Sequence, residues 1–232
     1  MNLLLLDAVD AEGRATIGAE AVAHVRTVLG KGVGDSVRVG VLGGTLGEAT
    51  IEAHEGEHMR LRCTLGQPPP PKRPFELVLA LPRPPVLRRV LQHATTMGVA
   101  RIVLCNAARV EKSYWSSPAL APGAIFAQLR LGLEQARDTI APAVELRPRL
   151  RPFVEDELAR RGDAVRLLAD GSGATTMPCD LTQPAIVAIG PEGGWVEFEL
   201  ALLAAAGFTA VTLGPRALRV EAAVVAALAR LG

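Results

Sequence analysis

Four consecutive prolines at residues 68–71, within "GQPPPPKRPFE", constrain the fold of this chain more than any other segment. Consecutive prolines favour a stiff, extended backbone, and they cannot continue a helix or a central strand. No regular element can therefore run through this point. The sequence predicts two domains, residues 1–66 and 75–232, joined by a linker over residues 67–74.

The first part of the chain has the pattern of a small β domain. The segments "SVRVGVL", "GEATIEA" and "MRLRCTL" partly alternate apolar and polar residues, and glycines or polar turns separate them. This pattern predicts a small barrel or sandwich, with one helix around "AEAVAHVRTVLG". The motif "HEGEH" at residues 54–58 formally matches a zinc-protease signature, but that chemistry requires a helix. Gly56 between strand-like segments indicates a hairpin turn instead, so we expect no metal site.

The second part of the chain alternates between strand-like and helix-like patterns. The buried strands predicted there are "FELVLAL", "ARIVLCN", "AVRLLADG", "PAIVAIG" and "TAVTLG". Helical patterns separate several of them, including "PVLRRVLQHATTMGV" and "GAIFAQLRLGLEQARDTI", the second of which Pro142 ends. Strands that alternate with helices predict an α/β domain with a mainly parallel sheet covered on both faces.

The net charge, the cysteine content and the first apolar run limit the possible partners and cellular compartment of the chain. The formal net charge is only +1, so a nucleic-acid partner would have to bind a local basic patch. The three cysteines are scattered and form neither a disulfide framework nor a CxxC metal site. Asp7 interrupts the short apolar run in "MNLLLLDAVD", which we interpret as a first strand rather than a signal peptide. We expect a cytoplasmic protein with no membrane partner.

Each of the last three predicted strands leads directly into a turn: "LLADGSG", "AIGPEGG" and "LGPRALR". Ligands of open α/β sheets bind beyond the carboxyl ends of the strands, so three such loops at one edge predict a site. Pro191 has no N–H to offer a phosphate, Glu192 adds a negative charge, and no Gly-Lys-Ser/Thr follows. The dinucleotide fingerprint is also missing, which argues against a nicotinamide dehydrogenase. The loop favours a neutral base edge or a ligand that is not anionic, and S-adenosylmethionine, an adenosine that carries a sulfonium cation, meets that description.

Two paired motifs, "IGPEGGW…E" and "LGPRALRVEAA", resemble those of the 16S ribosomal RNA uridine-N3 methyltransferases of the SPOUT superfamily. The segments "HVRTVLGKGVGD", "HATTMGV" and "LEQARDTIAP" are similar to other motifs of that family. The resemblance implies a PUA-like β-barrel that binds RNA, followed by a methyltransferase domain with a deep trefoil knot. It also implies S-adenosylmethionine as cofactor, an obligate homodimer, and 16S ribosomal RNA in the 30S subunit as partner.

The sequence departs from the family pattern at several positions. Gly30 stands where arginine is usual, Thr96 replaces a glutamate, and Val196 replaces the serine that would cap the helix after "GPEGG". Val220 and Ala223 stand where threonines are usual, and "EQAR" is one residue shorter than its family counterpart.

The resemblance assigns candidate roles to residues of this chain. The cofactor-binding candidates are Leu168, Ala169, Gly190, Pro191, Glu192, Gly193, Leu213, Gly214, Leu218 and Arg219. For catalysis, Arg219 or Arg137 would stabilise charge on the uridine oxygens, and Glu192 would accept the N3 proton. The basic residues predicted to contact RNA phosphates are Arg60, Arg62, Lys72, Arg73, Arg83, Arg88 and Arg89.

The sequence leaves two questions open: what the last helix packs against, and which of several functions the chain has. The last helix, "VEAAVVAALARL", is apolar almost all round, which fits either an internal core or a subunit interface. Alternative functions are another SPOUT activity, such as ribose 2′-O methylation, and a non-catalytic RNA-binding or ribosome-assembly factor.

Overall fold

The computed structural model describes residues 3–171 and 173–232. The chain forms two compact units. One consists of Met1–Pro71 with Arg130–Ala141, and the other consists of Lys72–Leu129 with Pro142–Gly232.

The first unit is built on a five-stranded mixed sheet with one helix. Its elements are β1 (Leu4–Leu6), β2 (Arg14–Ile17), α1 (Ala19–Thr27), β3 (Ser36–Val41), β4 (Leu46–Glu55) and β5 (His58–Gln67). The strand order is β1-β3-β4-β5-β2, in which β1 runs parallel to β3 and the other pairs are antiparallel. Alternate residues such as Val37 and Val39 of β3 point into a core that includes Val25 of α1. The predicted β domain is confirmed.

The "HEGEH" motif forms the turn between β4 and β5. Glu55 pairs with His58 across the turn, and Gly56 has a φ of +60° that favours glycine. The predicted hairpin is confirmed. Among the residues described, no group of three or more histidine, cysteine, aspartate or glutamate side chains is arranged to hold a metal ion.

The second unit holds a parallel sheet of seven strands. Its elements are β6 (Arg73–Ala80), α2 (Pro84–Thr96), β7 (Val99–Cys105), the first half of α3 (Pro122–Ala136), β8 (Ala143–Arg147), α4 (Leu150–Pro152), β9 (Val165–Ala169), β10 (Thr175–Thr176), β11 (Ala185–Ile189), α5 (Glu197–Ala205), β12 (Thr209–Thr212) and α6 (Val220–Leu231). Short 3-10 or π-helical turns lie at Lys112–Ser116, Pro118–Leu120, Phe153–Glu157 and Leu158–Arg160.

All strand pairs of this sheet are parallel, in the order β10-β12-β9-β11-β6-β7-β8. All five residues of the central strand β11 are buried. Helix α2 packs against α6. The α/β class predicted from the alternating pattern is confirmed.

Strand β8 was not predicted because its sequence, "AVELR", does not have an apolar pattern. Glu145 accepts hydrogen bonds from Arg101 and Arg161, and Arg147 pairs with Glu145 and Glu157. Burial raises the pKa of Glu145, but the hydrogen bonds and charges of Arg161 and Arg101 outweigh it and hold the pKa below its usual range. Ion pairs thus replace apolar burial on this edge strand.

Helix α3 ends earlier than the sequence predicts. The apolar pattern extends to Pro142, but the helix stops at Ala136 because Arg137 takes a positive φ of +57°. The N–H of Asp138 then donates to the carbonyl of Leu133 at 3.0 Å, which closes the helix end as a Schellman motif does. The prediction of a helix up to Pro142 was therefore wrong.

Of the helices described, none combines the length and the apolar composition that crossing a membrane requires.

Candidate functional site

The carboxyl ends of β12, β9 and β11 lie side by side because the three strands are parallel neighbours. Together with the start of α6 and the segment after β6, the loops that follow these strands enclose a cavity of about 490 Å³. The size and the position at one sheet edge are typical of a small-molecule site in an α/β protein. The predicted meeting of the three loops is therefore observed.

Each loop contributes a short run of lining residues. The loop after β9 contributes Asp170 and Gly171, the loop after β11 contributes Gly190–Glu192 and Gly194–Trp195, and the loop after β12 contributes Leu213–Gly214 and Arg216–Leu218. The remaining lining residues are Arg83, Val86, Ala169, Ile189, Thr212, Arg219, Val220, Glu221 and Ala223.

The "GPEGG" loop is a tight turn packed against an indole ring. The N–H of Gly194 donates to the carbonyl of Pro191 at 2.8 Å, and the φ of Gly194 is +73°. A Cβ atom on Gly190 would lie 3.0 Å from Nε1 of Trp195, so only glycine fits there without a shift. Trp195 is 5% exposed and forms part of the cavity wall.

Glu199 holds this loop to its neighbour. Its carboxylate accepts from the N–H of Val196 at 3.0 Å and from the N–H of Ala108 at 2.6 Å, and the residue is only 4% exposed. Val196 stands at the N-cap of α5 and has no side-chain acceptor, so Glu199 supplies the one half of the capping box that remains. Glu199 is the glutamate that closes the motif "IGPEGGW…E", but its contact with Ala108 was not predicted from the sequence.

The segment after β7 contributes a second contact to the loop. Arg109 donates a hydrogen bond to the carbonyl of Gly193. Cys105 ends β7 beneath this segment, and burial, together with the nearby Glu199 carboxylate, raises its pKa to about 12. The thiol is therefore neutral at physiological pH and unsuited to act as a nucleophile.

Charged side chains of both signs line the cavity: Arg83, Arg216 and Arg219 with Asp170, Glu192 and Glu221. Glu221 pairs with Arg89 at 3.0 Å, and a backbone hydrogen bond at Glu221 together with Arg89 holds its pKa below the usual range. The exposed side chain of Arg219 makes no hydrogen bond or close ion pair with any residue that the structure describes, although its charge helps to lower the pKa of Glu221. Its guanidinium is therefore available to a ligand.

Eight of the ten residues predicted to bind a cofactor line this cavity: Ala169, Gly190, Pro191, Glu192, Leu213, Gly214, Leu218 and Arg219. The other two lie beside it. Leu168 is buried within β9, and the carbonyl of Gly193 faces Arg109. Arg137, one of the catalytic candidates, lines a different cavity that belongs to the first unit.

The residues predicted to contact RNA are dispersed, and most have partners. Arg60 pairs with Glu55 at 3.8 Å, Arg62 with Glu52, and Arg89 with Glu221. The other four are Lys72, which also has a partner, Arg73 at the start of β6, Arg83 on the cavity wall and Arg88, exposed on α2.

Several residues of the cavity were not predicted from the sequence. Asp170 and Arg216 lie within the quoted loops "LLADGSG" and "LGPRALR", so their position was signalled but no role was assigned. Arg83 was predicted for RNA binding, yet it contributes to the wall of the cavity.

The wall has the chemistry for one class of ligand. Val86, Ile189 and Leu213 provide apolar surface for a flat ring. The carboxylates suit a cation and the arginines suit a carboxylate, so a zwitterionic ligand that carries an aromatic base fits the residues present.

Comparison with known proteins identifies the family. A family model described as "RNA methyltransferase domain" matches residues 69–232. The ribosomal RNA small subunit methyltransferase E of Treponema pallidum is 33% identical over 222 residues, which covers 89% of this chain and 80% of the relative. The protein of the same name from Mycobacterium tuberculosis is 29% identical over 226 residues, covering 94% of this chain and 86% of the relative.

Solved structures share the fold. A ribosomal RNA small subunit methyltransferase E from Neisseria gonorrhoeae, bound to S-adenosyl methionine, superposes with a TM-score of 0.79 at 21% identity and covers 99% of this chain and 95% of its own. A putative methyltransferase from Legionella pneumophila in complex with the same cofactor gives a TM-score of 0.76 at 22% identity, with coverages of 99% and 96%. Since the family model spans most of the second unit and a relative one-third identical aligns with most of the chain, the chain belongs to the RNA methyltransferase family.

Proposed function

We propose that this chain is an S-adenosylmethionine-dependent methyltransferase that modifies N3 of a uridine in 16S ribosomal RNA of the small subunit. The nucleotide that the family resemblance implies is m3U1498. The observation that carries the proposal is the cavity at the ends of β9, β11 and β12, which lies within the region matched by the family model.

The residues of the cavity fit the proposed cofactor. Apolar groups such as Ile189 and Leu218 would cover the adenine ring, and backbone groups of the "GPEGG" and "LGPRALR" loops would meet its polar edge. Asp170 and Glu192 favour a cationic sulfonium. Two structures of similar fold are described as bound to this cofactor, which supports the assignment.

The uridine must lose a proton before its N3 can attack, because the neutral N3–H is a poor nucleophile. When bound, S-adenosylmethionine supplies the methyl group, and transfer forms the N3–methyl bond as the sulfonium–methyl bond breaks. Glu192 would accept the N3 proton, and Arg219 would stabilise negative charge on a uracil oxygen. We assign this charge to Arg219 rather than Arg137 because Arg219 lines the cavity.

We propose that the enzyme works as a homodimer in the cytoplasm, on 16S ribosomal RNA or the 30S subunit. One face of α6 is buried within the unit through Val220, Val224 and Leu228. Its opposite face is also apolar and carries the exposed Ala222 and Ala229. Such a face supports burial against a second copy of the chain.

Calorimetric titration with S-adenosylmethionine tests whether the cavity holds the cofactor. Leu218 lines the cavity and is 45% exposed, so Leu218→Asp places a charge on the wall without disturbing a core. Leu131, 48% exposed in the first unit, offers the matched control Leu131→Asp. We expect the wild type and the control to bind about equally, and Leu218→Asp to bind at least about tenfold more weakly, the cost of about 1.4 kcal/mol.

Two results of this titration would contradict the proposal. A wild type that binds no cofactor would favour a non-catalytic RNA-binding factor. Equal affinity of Leu218→Asp and the wild type would place the cofactor elsewhere.

A further inference from the structure

A second cavity, of about 330 Å³, lies in the first unit and is rich in positive charge. The side chains that face it include Lys31, Arg38 and Arg137, together with His24 and Ser36. Burial lowers the pKa of His24, so this histidine is neutral at physiological pH and the three other side chains supply the charge. No aspartate or glutamate is among the described residues that line the cavity.

These three cations are free of ion pairs, unlike Arg14, Arg60 and Arg62 of the same unit. Arg14 lies 3.8 Å from Glu52, Arg62 pairs with the same carboxylate, and Arg60 pairs with Glu55. By contrast, Lys31, Arg38 and Arg137 make no ion pair or hydrogen bond through their side chains with any residue in the described part of the chain. Arg38 lies opposite Glu48 across β3 and β4, yet the two side chains form no ion pair or hydrogen bond.

Arg137 reaches the cavity from a strained backbone position. It follows the last residue of α3 with a φ of +57°, at the point of a Schellman motif where glycine is the usual residue. A positive φ is unfavourable for an arginine, and such strain is typical of sites where a side chain has a function.

Lys31 is held at the cavity by the end of α1. Its backbone N–H donates to the carbonyl of Val25 at 3.0 Å, across Gly30 with its φ of +64°. The backbone of Lys31 is therefore fixed where the residue lines the cavity.

We infer that this cavity binds a phosphate of the RNA backbone and is the main anchor for RNA on the first unit. Three unpaired cations around one concave site attract the negative charge of a phosphodiester, and the hydroxyl of Ser36 offers a further hydrogen-bond donor. The inference rests on the proposed function, since it takes ribosomal RNA as the substrate. It also moves the RNA anchor from Arg60 and Arg62, which carboxylates neutralise, to a different surface of the same unit.

The test measures the affinity of 16S ribosomal RNA for full-length variants over a series of salt concentrations. The cavity variants are Lys31→Ala, Arg38→Ala and Arg137→Gly. Each variant should weaken RNA binding by about fivefold or more. Each should also reduce the magnitude of the slope of log affinity against log salt concentration by about one, because one phosphate contact is lost. Arg137→Gly also removes the backbone strain, so its melting temperature should not fall below that of the wild type, and its loss of affinity cannot result from misfolding.

Two further variants serve as comparisons. Arg14→Ala is the matched control, because Arg14 is an exposed arginine of the same unit that Glu52 neutralises. Arg60→Ala tests the surface that the sequence predicts to contact RNA. We expect Arg14→Ala and Arg60→Ala to bind RNA within about twofold of the wild type, because surface charges that are already paired contribute little to RNA affinity.

Two outcomes would overturn the inference: normal RNA affinity of all cavity variants, or an equal or larger loss for Arg60→Ala. Neither of them affects the proposed cofactor site, which the titration with S-adenosylmethionine tests separately. If the wild type binds cofactor but no RNA, both the RNA substrate and this inference are wrong.

Discussion

Arg219 is the residue on which the proposed chemistry depends most. It stands at the N-cap of α6, lines the cavity at the ends of β9, β11 and β12, and lies close enough to Glu221 to help lower the pKa of that carboxyl. Arg219→Ala should lower kcat/KM by roughly 100-fold, the effect expected on removing one group that stabilises developing charge. Labelled methyl transfer to 30S subunits measures this loss, and Arg219→Lys should recover part of it.

Arg216 offers a comparison on the same loop. It also lines the cavity, so Arg216→Ala controls for a general loss of positive charge. Turnover of Arg219→Ala close to the wild-type value, with the variant folded, would refute the catalytic assignment of Arg219.

The three cysteines should differ sharply in reactivity. Cys179 is exposed, Cys63 is half-buried with a pKa raised by burial, and burial raises the pKa of Cys105 to about 12. At pH 8 a thiol reagent should label Cys179 rapidly, and it should not label Cys105 until the protein unfolds, because its thiol stays protonated at every pH well below 12. Mass spectrometry of the labelled peptides measures the order, and early labelling of Cys105 would contradict the described packing of β7.

At the scale of the elements, Glu199 joins the start of α5 to the segment after β7. Its two oxygens accept from the N–H groups of Val196 and Ala108 in a buried position. Glu199→Gln places an amide N–H against one of these donors, so the free energy of unfolding should fall by about 2 kcal/mol. Urea denaturation measures the change.

Glu197 provides the matched control for this experiment. It belongs to the same first turn of α5 but is exposed, so Glu197→Gln should change stability by no more than about 0.5 kcal/mol. Equal losses for the two variants would mean that Glu199 acts only through helix electrostatics and not through the loop contact.

Periodicity and turn chemistry were enough to predict the elements that form the site. Strands β9, β11 and β12 are short apolar runs that end in glycine-containing loops, and parallel pairing brings those loops to one edge. Sequence could not show that Glu199 reaches Ala108, because that contact joins residues 91 positions apart. It also could not predict the end of α3 at Ala136, since Arg137 breaks the preference of non-glycine residues for negative φ.

Arg137 shows that the sequence also could not predict which cavity a candidate site residue lines. The resemblance suggested a catalytic role, but only the fold shows that the side chain lines a cavity with Lys31 and Arg38 of the first unit. The trefoil knot implied by the resemblance stays a prediction, because chain threading is a property that no local pattern encodes.

For the whole molecule, the outer face of α6 predicts a dimer. Light scattering at micromolar concentration should give twice the chain mass for the wild type. Ala229→Glu introduces a charge on that exposed apolar face and should shift the protein towards monomer, because burying an unpaired charge is costly. Ala23→Glu, an exposed position of α1, should leave the dimer intact. A wild-type protein that is monomeric under these conditions would contradict the dimer.

The most direct test of the whole account is the identity of the methylated nucleoside. Purified protein is incubated with labelled S-adenosylmethionine and 30S subunits that lack the modification, and the RNA is then digested and its nucleosides separated. The account predicts label in 3-methyluridine at a single position of 16S ribosomal RNA. Label in a 2′-O-methyl nucleoside, or no label from a protein that binds the cofactor, would contradict it.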